Sequence, residues 1–277
     1  MTGASLRVAI IHELFHGTDR RERLRERLAQ AHDAGAALAL LPELPLHRWV
    51  PATRNPRDDD AEPPGGERHR LMAETASEIG IGVHGGTIVR EPSTGRRFNR
   101  ALLFDATGEL VAQYDKLHVP CEPGFWEADH YDPGESLPTR VDAFGLSLGM
   151  QICSDMQRPT VSNLLGAKGA ELILAPRATP AQSYERWSLV LRADALTSAA
   201  YVISVNRPEP EGDAPIGGPS VVIAPDGGVL LETSDLVTLV TLERSAVAAA
   251  RNDYPGYLAV RAGLYARGWS EVDSPGG

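Results

Sequence analysis

The feature of this sequence that most constrains its fold is an alternation of short apolar runs and helical segments that occurs twice along the chain. In the first half, an apolar run at residues 6–11 precedes residues 19–34, where Leu24, Leu28 and Ala31 recur at three- or four-residue spacing. Short apolar runs predict buried strands, and the wider spacing predicts a helix with one buried face. Each half continues with a second strand and helix and then with strands joined by turns. Two sheets, each covered by helices on one face, would satisfy this pattern in one domain.

The same spacing rules place the individual elements along the chain. Strands are predicted at residues 6–11, 37–41, 81–89, 99–104, 109–115, 141–144, 146–152, 172–175, 201–205 and 237–242, with two more on either side of a hairpin turn at 225–228. Helices are predicted at 19–34, 67–79, 159–168 and 185–198, with a short helix after the last strand. Residues 45–66 contain five prolines and three consecutive aspartates, and such a long loop in a compact domain is usually functional or mobile.

Composition and charge restrict the classes of partner. The formal net charge of −10 argues against nucleic-acid binding, because phosphate contacts need clustered basic residues. No apolar run approaches the roughly 20 residues that span a bilayer, so no membrane partner is predicted. Two cysteines are too few for a disulfide framework or a cysteine-rich zinc site. We therefore expect a cytoplasmic enzyme, built as one domain over residues 1–277 with a core at about 5–245 and a C-terminal tail at 246–277.

Three reactive side chains closely follow apolar runs: Glu43, Lys116 and Cys153. Functional residues often lie at strand ends, where loops carry chemistry on a rigid scaffold. A carboxylate between apolar neighbours suits a general base, and a thiol can act as a nucleophile. Each residue also has an ordinary interpretation: a surface glutamate, a solvated lysine on an edge strand and a buried, inert cysteine. The three together, in this order, favour a catalytic site.

Cys153 is the stronger of two candidate nucleophiles. It follows the predicted strand at 146–152 and precedes Pro159, which suits the first turn of a helix. Helix N-terminal amides near the sulfur would lower the pKa of the thiol and stabilise developing negative charge. Cys121 lies instead in a proline-flanked loop without a preceding strand, and it is the weaker candidate.

The order and setting of Glu43, Lys116 and Cys153 resemble the Glu-Lys-Cys triad of the nitrilase superfamily, the carbon–nitrogen hydrolases. The residues after the lysine are similar to the N-carbamoylputrescine amidase branch of that superfamily. The resemblance extends from the first strand to about Tyr257. Its further landmarks are the segments 116–120, 123–127, 131–135, 169–176, 206–207 and 217–220.

The resemblance implies both a fold and a mechanism. The fold is an α/β four-layer α-β-β-α sandwich. Glu43 takes the thiol proton as Cys153 attacks a linear amide or N-carbamoyl carbon, and ammonia or an amine leaves an acyl-enzyme that water hydrolyses. Lys116 and the backbone N–H of Ser154 stabilise the oxyanion, and Glu127, eleven residues after the lysine, matches the superfamily's second glutamate. No cofactor or metal is required, the substrate is a small molecule, and relatives pair into homodimers or larger homo-oligomers through helices near the active site.

The sequence constrains the substrate less than the mechanism. Ser154 stands where the superfamily usually has an aromatic residue or asparagine, and Arg177 stands where small residues are common. Arg177 and Trp126 are candidate substrate-binding residues. The guanidinium either binds a substrate carboxylate or pairs with Asp155 or Glu127 as scaffold. Acidic residues near the expected entrance favour a cationic substrate instead: they are Glu122, Glu127, Asp129 and Asp132.

Three other functions are compatible with parts of the sequence. A zinc metalloprotease is one, because His12, Glu13 and His16 fit its zinc-binding pattern H-E-x-x-H, but that motif requires a helix and here follows a strand directly. A true nitrilase, acting on an organic nitrile, usually has Trp-Glu after the cysteine, whereas Ser154 and Asp155 follow the amidase-like form. A non-catalytic binding protein on the same fold would be favoured if a triad member were missing, and none is.

Overall fold

In the computed structural model, which describes residues 5–272, the predicted alternation of strands and helices is confirmed with small shifts in the bounds. Residues 1–4 and 273–277 of the predicted domain and tail lie outside the described residues. The strands are β1 (Ser5–Ile11), β2 (Leu38–Leu40), β3 (Gly82–Arg90), β4 (Arg97–Phe104), β5 (Leu110–Asp115), β6 (Val141–Ala143), β7 (Leu146–Met150), β8 (Leu172–Leu174), β9 (Tyr201–Ser204), β10 (Ser220–Ile223), β11 (Val229–Thr233) and β12 (Val237–Glu243). The α-helices are α1 (Arg20–Asp33), α2 (Glu67–Ile79), α3 (Pro159–Ala167), α4 (Tyr184–Ser198), α5 (Arg244–Asn252) and α6 (Ala262–Ser270).

The strands form two six-stranded sheets that share one plan. Their orders are β12-β1-β2-β3-β4-β5 and β11-β10-β9-β8-β7-β6. In each sheet three strands run parallel, β1-β2-β3 and β7-β8-β9, and the next strands along the chain pair as antiparallel hairpins. β12 returns from the second half of the chain and pairs with β1, with Leu242 opposite Leu6. This last pairing joins both halves of the chain in one sheet.

The two sheets face each other through residues that alternate along the strands. In β1, Val8 and Ile10 pack with apolar residues of the second sheet, whereas Ala9 and Ile11 pack against α1 and α2. The second sheet is covered in the same way by α3 and α4, for example through Leu191. The layers are therefore helix, sheet, sheet and helix, and the predicted four-layer sandwich is confirmed.

The loop at residues 45–66 is packed against its neighbours and contains two short 3₁₀ turns. Trp49 is 3% exposed, and its ring centroid lies 5.9 Å from that of Phe125. Its indole N–H donates to the carbonyl of Gly124 at 2.9 Å. These contacts hold the loop against residues 117–135, which border the candidate site described below.

After β12 the chain forms α5, which matches the predicted short helix, and α6, which the sequence pattern does not predict. Every residue of α6 is exposed, among them Leu264, Tyr265 and Trp269. None of the helices between residues 5 and 272 is long and apolar enough to cross a membrane.

A buried carboxyl lies on the inner face of α4. Asp194 is 0% exposed, and neither of its oxygens has a hydrogen-bond partner among the described residues. The neighbouring hydroxyl of Ser162 donates to Gln151 at 2.7 Å. Burial raises the pKa of Asp194 to about 7.

Asp194→Asn is therefore expected to stabilise the fold increasingly as pH rises. A folded-state pKa above the unfolded value gives stability that is present at acid pH and is lost as pH rises through about 7. Asparagine carries no charge, so the difference in unfolding free energy between variant and wild type should grow by about 4 kcal/mol between pH 4 and pH 8. Urea unfolding at several pH values measures this difference, with the exposed Asp213→Asn as control. Parallel curves for wild type and Asp194→Asn would contradict the expected burial effect.

Candidate active site

Glu43 lies in a tight turn after β2 and is 1% exposed. The next residue, Leu44, has a φ of 49°, in the left-handed region that is strained for a residue other than glycine. Arg207 holds this turn, because its guanidinium donates to the carbonyls of Glu43 at 2.7 Å and Leu44 at 2.8 Å. Arg207 is 0% exposed and follows β9, so the second sheet fixes a glutamate of the first.

Lys116 is placed by the end of β5. The preceding residue, Asp115, accepts a forked pair of hydrogen bonds from Arg100 at 2.6 and 2.9 Å. The backbone N–H of Lys116 donates to the carbonyl of Asn99 at 3.0 Å. Backbone and side-chain bonds therefore fix the direction in which the lysine leaves its strand.

The ammonium of Lys116 joins two glutamates. It donates to Oε1 of Glu43 at 2.9 Å and to Oε2 of Glu127 at 2.5 Å, and all three side chains are at most 1% exposed. Asn99 donates to the same oxygen of Glu43 at 2.7 Å, and the hydroxyl of Tyr131 donates to Glu127. An ammonium has three N–H groups, so these bonds leave one of them for a ligand.

Cys153 begins a five-residue 3₁₀ turn, Cys153–Gln157, that follows β7. Its φ of 46° places it in the left-handed region, as for the residue after Glu43. The backbone N–H of Cys153 donates to the carbonyl of Pro176 at 2.9 Å, and Sγ lies 3.9 Å from the carbonyl oxygen of Ala178. The helix predicted near Pro159 is α3, which starts only after this turn.

Asp155 connects the cysteine turn with the lysine segment. It is 0% exposed and accepts hydrogen bonds from the backbone N–H groups of Ile152, Leu117 and His118 at 3.1, 3.2 and 2.9 Å. The hydroxyl of Tyr114 donates to it at 2.8 Å. Because these donors flank the lysine and the cysteine, one carboxylate fixes both residues relative to each other.

The charged groups of the buried cluster shift one another's pKa values. Burial alone would lower the pKa of Lys116, but the carboxylates of Glu127 and Glu43 raise it above its ordinary value. Burial raises the pKa of Glu127 to about 7, and Glu43 adds to the shift while Lys116 opposes it. The lysine therefore stays charged over the whole range in which Glu127 titrates.

The prediction that helix amides lower the thiol pKa is wrong. Cys153 is 5% exposed, and burial, followed by the charge of Glu43, raises its pKa well above the ordinary value although Lys116 opposes the shift. The resting thiol is neutral, so it needs a base to become a nucleophile. Oxygen Oε2 of Glu43 is buried and has no hydrogen-bond partner among the described residues, which leaves it available to accept a proton.

A pocket of about 300 Å³ opens over Cys153, and Glu127 and Ser154 also line it. The hydroxyl of Ser154 donates to the carbonyl of His118, but no acceptor among residues 5–272 takes its backbone N–H. That N–H is thus available as an oxyanion donor. A larger cavity of about 430 Å³, beside Asn163 and the C-terminal segment, contains none of the three reactive residues.

Arg177 lies behind this pocket and is absent from its wall. The residue is 1% exposed, and its guanidinium donates to the hydroxyl of Thr179 at 3.1 Å and to the carbonyls of Ser204 at 2.8 Å and Pro219. Substrate binding does not fit this position, because three of the five guanidinium N–H groups donate to neutral oxygens of the protein. The predicted pairing with Asp155 or Glu127 is absent among the described residues, so Arg177 acts as scaffold through other partners. Its scaffold role is to join the loops after β8 and β9.

Trp126 and Cys121 are also absent from the wall of this pocket. The half-buried ring of Trp126 stacks under the guanidinium of Arg54, 4.5 Å from its centroid, and its neighbour Phe125 lines the pocket instead. Cys121 is exposed, and the cysteine in the pocket wall is Cys153.

The H-E-x-x-H segment does not form a helix, because β1 ends at Ile11 and the next five residues are irregular. The carboxylate of Glu13 is held by Arg23 and Arg27, and His12 is bonded to Ser220 at 2.8 Å. In the part of the chain from residue 5 to 272, no group of three or more His, Cys, Asp or Glu side chains is arranged to hold a metal ion.

Four residues that hold the cluster together were not predicted as part of it: Asn99, Tyr131, Asp155 and Arg207. Asp155 was considered only as a partner of Arg177, and Tyr131 and Arg207 only as parts of segments that resemble the superfamily. Arg207 carries the signal that identified Glu43, a polar residue shortly after an apolar strand, and Asp155 follows the cysteine by two residues. Asn99 and Tyr131 offer no such signal, because their importance depends on contacts between distant segments.

Comparisons with known proteins show which family this chain is similar to. A family model described as "Carbon-nitrogen hydrolase" matches residues 16–252. Human omega-amidase NIT2 is 28% identical over 215 residues, which cover 74% of this chain and 77% of that protein. The deaminated glutathione amidase of Yersinia enterocolitica is 28% identical over 202 residues, covering 69% and 70%. A carbon-nitrogen hydrolase structure from Helicobacter pylori G27 superimposes with a TM-score of 0.87 at 19% identity, covering 98% of this chain and 100% of that one.

Proposed function

Because this chain belongs to the carbon–nitrogen hydrolase family, we propose that Cys153, Glu43 and Lys116 hydrolyse a linear amide through a covalent acyl-enzyme. The observation that carries the proposal is the unpartnered buried oxygen Oε2 of Glu43, whose charge acts on a buried neutral thiol. Such a thiol reacts only when a base takes its proton. The relatives named as amidases support an amide as the bond that is cleaved.

Acylation begins with the substrate carbonyl carbon above Sγ of Cys153. Glu43 takes the thiol proton as sulfur bonds to that carbon, and the carbonyl oxygen becomes an oxyanion. The free N–H of the Lys116 ammonium and the backbone N–H of Ser154 donate to the oxyanion. Removal of one such donor typically slows an acyl transfer about 100- to 1000-fold. The amide nitrogen then takes the proton from Glu43 and leaves as ammonia or an amine.

Deacylation repeats these steps with water. Glu43 takes a proton from water as its oxygen attacks the thioester carbon, the carbon–sulfur bond breaks, and the thiolate regains the proton. Glu127 does not exchange a proton with substrate in this scheme. Its role is to fix the lysine ammonium, to which it is hydrogen-bonded at 2.5 Å. The scheme uses only side chains, backbone and water.

A panel of linear amides, ω-amides, N-carbamoyl amines and organic nitriles tests the proposed reaction by release of ammonia. We expect release from one or more of the first three classes, unchanged in a strong chelator, because no step of the scheme uses a metal. Release from nitriles alone would favour the nitrilase alternative, and loss of activity in the chelator would favour a metal mechanism.

We also propose that the chain acts as a single cytoplasmic domain that forms at least a homodimer. α6 has nine residues and buries none of them, and helices that short are marginal in water without packing partners. Exposed apolar residues of α6 and of the chain just before it include Tyr257, Leu264 and Trp269. A second copy would cover this surface. Light scattering at micromolar concentration should show a mass of at least twice 29.8 kDa, and a species near 29.8 kDa alone would contradict the dimer.

A further inference from the structure

The pocket over Cys153 has two charged side chains outside the buried cluster, Glu122 and Arg186. Both are exposed, and neither takes part in a side-chain hydrogen bond or ion pair with any residue between 5 and 272. The other acidic residues near this entrance are already paired. Asp129 is bound by Arg54 at 2.9 Å, and Asp132 lies 3.5 Å from a guanidinium nitrogen of Arg96.

The backbone of Arg186 is fixed by the helix that carries it. It lies in the first turn of α4, where the unpaired backbone N–H groups add positive potential. The next residue, Trp187, is 9% exposed and lines the same pocket, so the first turn of α4 is anchored against the core. The guanidinium is therefore a cation without a protein partner in the wall of the pocket that contains Cys153.

We infer that Arg186 is a specificity-determining residue that binds a carboxylate at the non-reacting end of the amide substrate. The inference rests on the proposed function, since it requires the reacting carbonyl to lie over Cys153. A guanidinium binds a carboxylate through two parallel N–H···O bonds, and no protein carboxylate competes for this one. Apolar wall residues such as Phe125, Ala178 and Trp187 suit a short methylene chain between the two ends.

Glu122 is the residue of the pocket wall that would favour a cationic substrate instead. If this glutamate selected the substrate, the pocket would prefer an amide with a cationic end, as the acidic residues of the entrance suggest from sequence. Most of those acids are neutralised by arginines or by Lys116, which leaves Glu122 alone against Arg186 and the first turn of α4. The unpaired charges of the pocket wall therefore favour an anionic group on the substrate.

Three amides of similar length separate these outcomes: succinamate, neutral butyramide and cationic 3-aminopropanamide. Wild type should have the highest kcat/KM for succinamate. Arg186→Gln should lower the ratio of kcat/KM for succinamate to that for butyramide by about 10- to 100-fold, mainly through KM, because one charge-assisted contact is lost. Arg186→Glu should invert the preference towards 3-aminopropanamide, which a merely structural arginine would not do.

Arg158→Gln is the matched control, since Arg158 is also exposed but lies outside the pocket wall, and it should leave the ratio unchanged. A wild-type preference for 3-aminopropanamide, or a ratio that Arg186→Gln does not change, would overturn the inference while amide turnover persists. Absence of turnover of any amide would instead overturn the proposed function on which the inference rests.

Discussion

Cys153→Ala is expected to reduce amide turnover by a factor on the order of 10⁵ or more, because Cys153 supplies the one thiol among the described residues that line the pocket. The fold should survive, since the substitution removes only a sulfur atom at the edge of the core and leaves the backbone bond from Cys153 to Pro176. Steady-state ammonia release and urea unfolding measure the two effects separately. We expect a change in unfolding free energy of about 1 kcal/mol.

Cys121→Ala is the matched control for this experiment. Cys121 is exposed, so its substitution should change neither turnover nor unfolding by much. Loss of turnover in Cys121→Ala, together with activity in Cys153→Ala, would overturn the assignment of the nucleophile.

Lys116→Met is expected to lower both turnover and stability. The variant removes an oxyanion donor and also leaves the buried carboxylates of Glu43 and Glu127 without a cation. Removing one partner of a buried ion pair typically lowers the free energy of unfolding by about 3–5 kcal/mol. The loss should be larger at pH 8 than at pH 5, because protons that would neutralise the unpaired carboxylates are scarcer at pH 8.

Lys168→Met provides the control for Lys116→Met. Lys168 is exposed, and its ammonium donates to the carbonyl of Pro138 at 3.1 Å. Substitution there should shift the unfolding midpoint little at either pH. Equal stability losses in the two variants would contradict the expectation that burial of charge at Lys116 sets the effect.

Local pattern was sufficient to predict most elements of the fold. The apolar alternation in β1 distinguishes an inner face with Val8 from an outer face with Ala9, and both faces are buried as expected. The pairing of β12 with β1 was not predictable, because nothing in Val237–Glu243 indicates which of two sheets it joins. That choice is made by contacts between chain ends more than 200 residues apart.

The candidate site was likewise predictable in part from local sequence pattern. Glu43 and Lys116 were singled out because both follow apolar strands, and were placed in one site because their order with Cys153 resembles the nitrilase triad. Their side chains are in contact at 2.9 Å. The position of Arg177 was misjudged, since a strand end places the backbone but does not decide whether a long side chain turns into the pocket or behind it. The thiol pKa of Cys153 was misjudged because burial and the carboxylate of Glu43 raise it, and because α3 begins only at Pro159, beyond the turn that carries the thiol.

The most direct test of the proposed chemistry is mass spectrometry of the enzyme quenched in acid during turnover of a saturating amide. We predict that the peptide containing Cys153 gains the mass of the substrate minus ammonia, that the gain disappears when substrate is exhausted, and that Cys153→Ala never shows it. Turnover with Cys153 unmodified throughout, or with the acyl group on Cys121, would contradict an acyl-enzyme at Cys153.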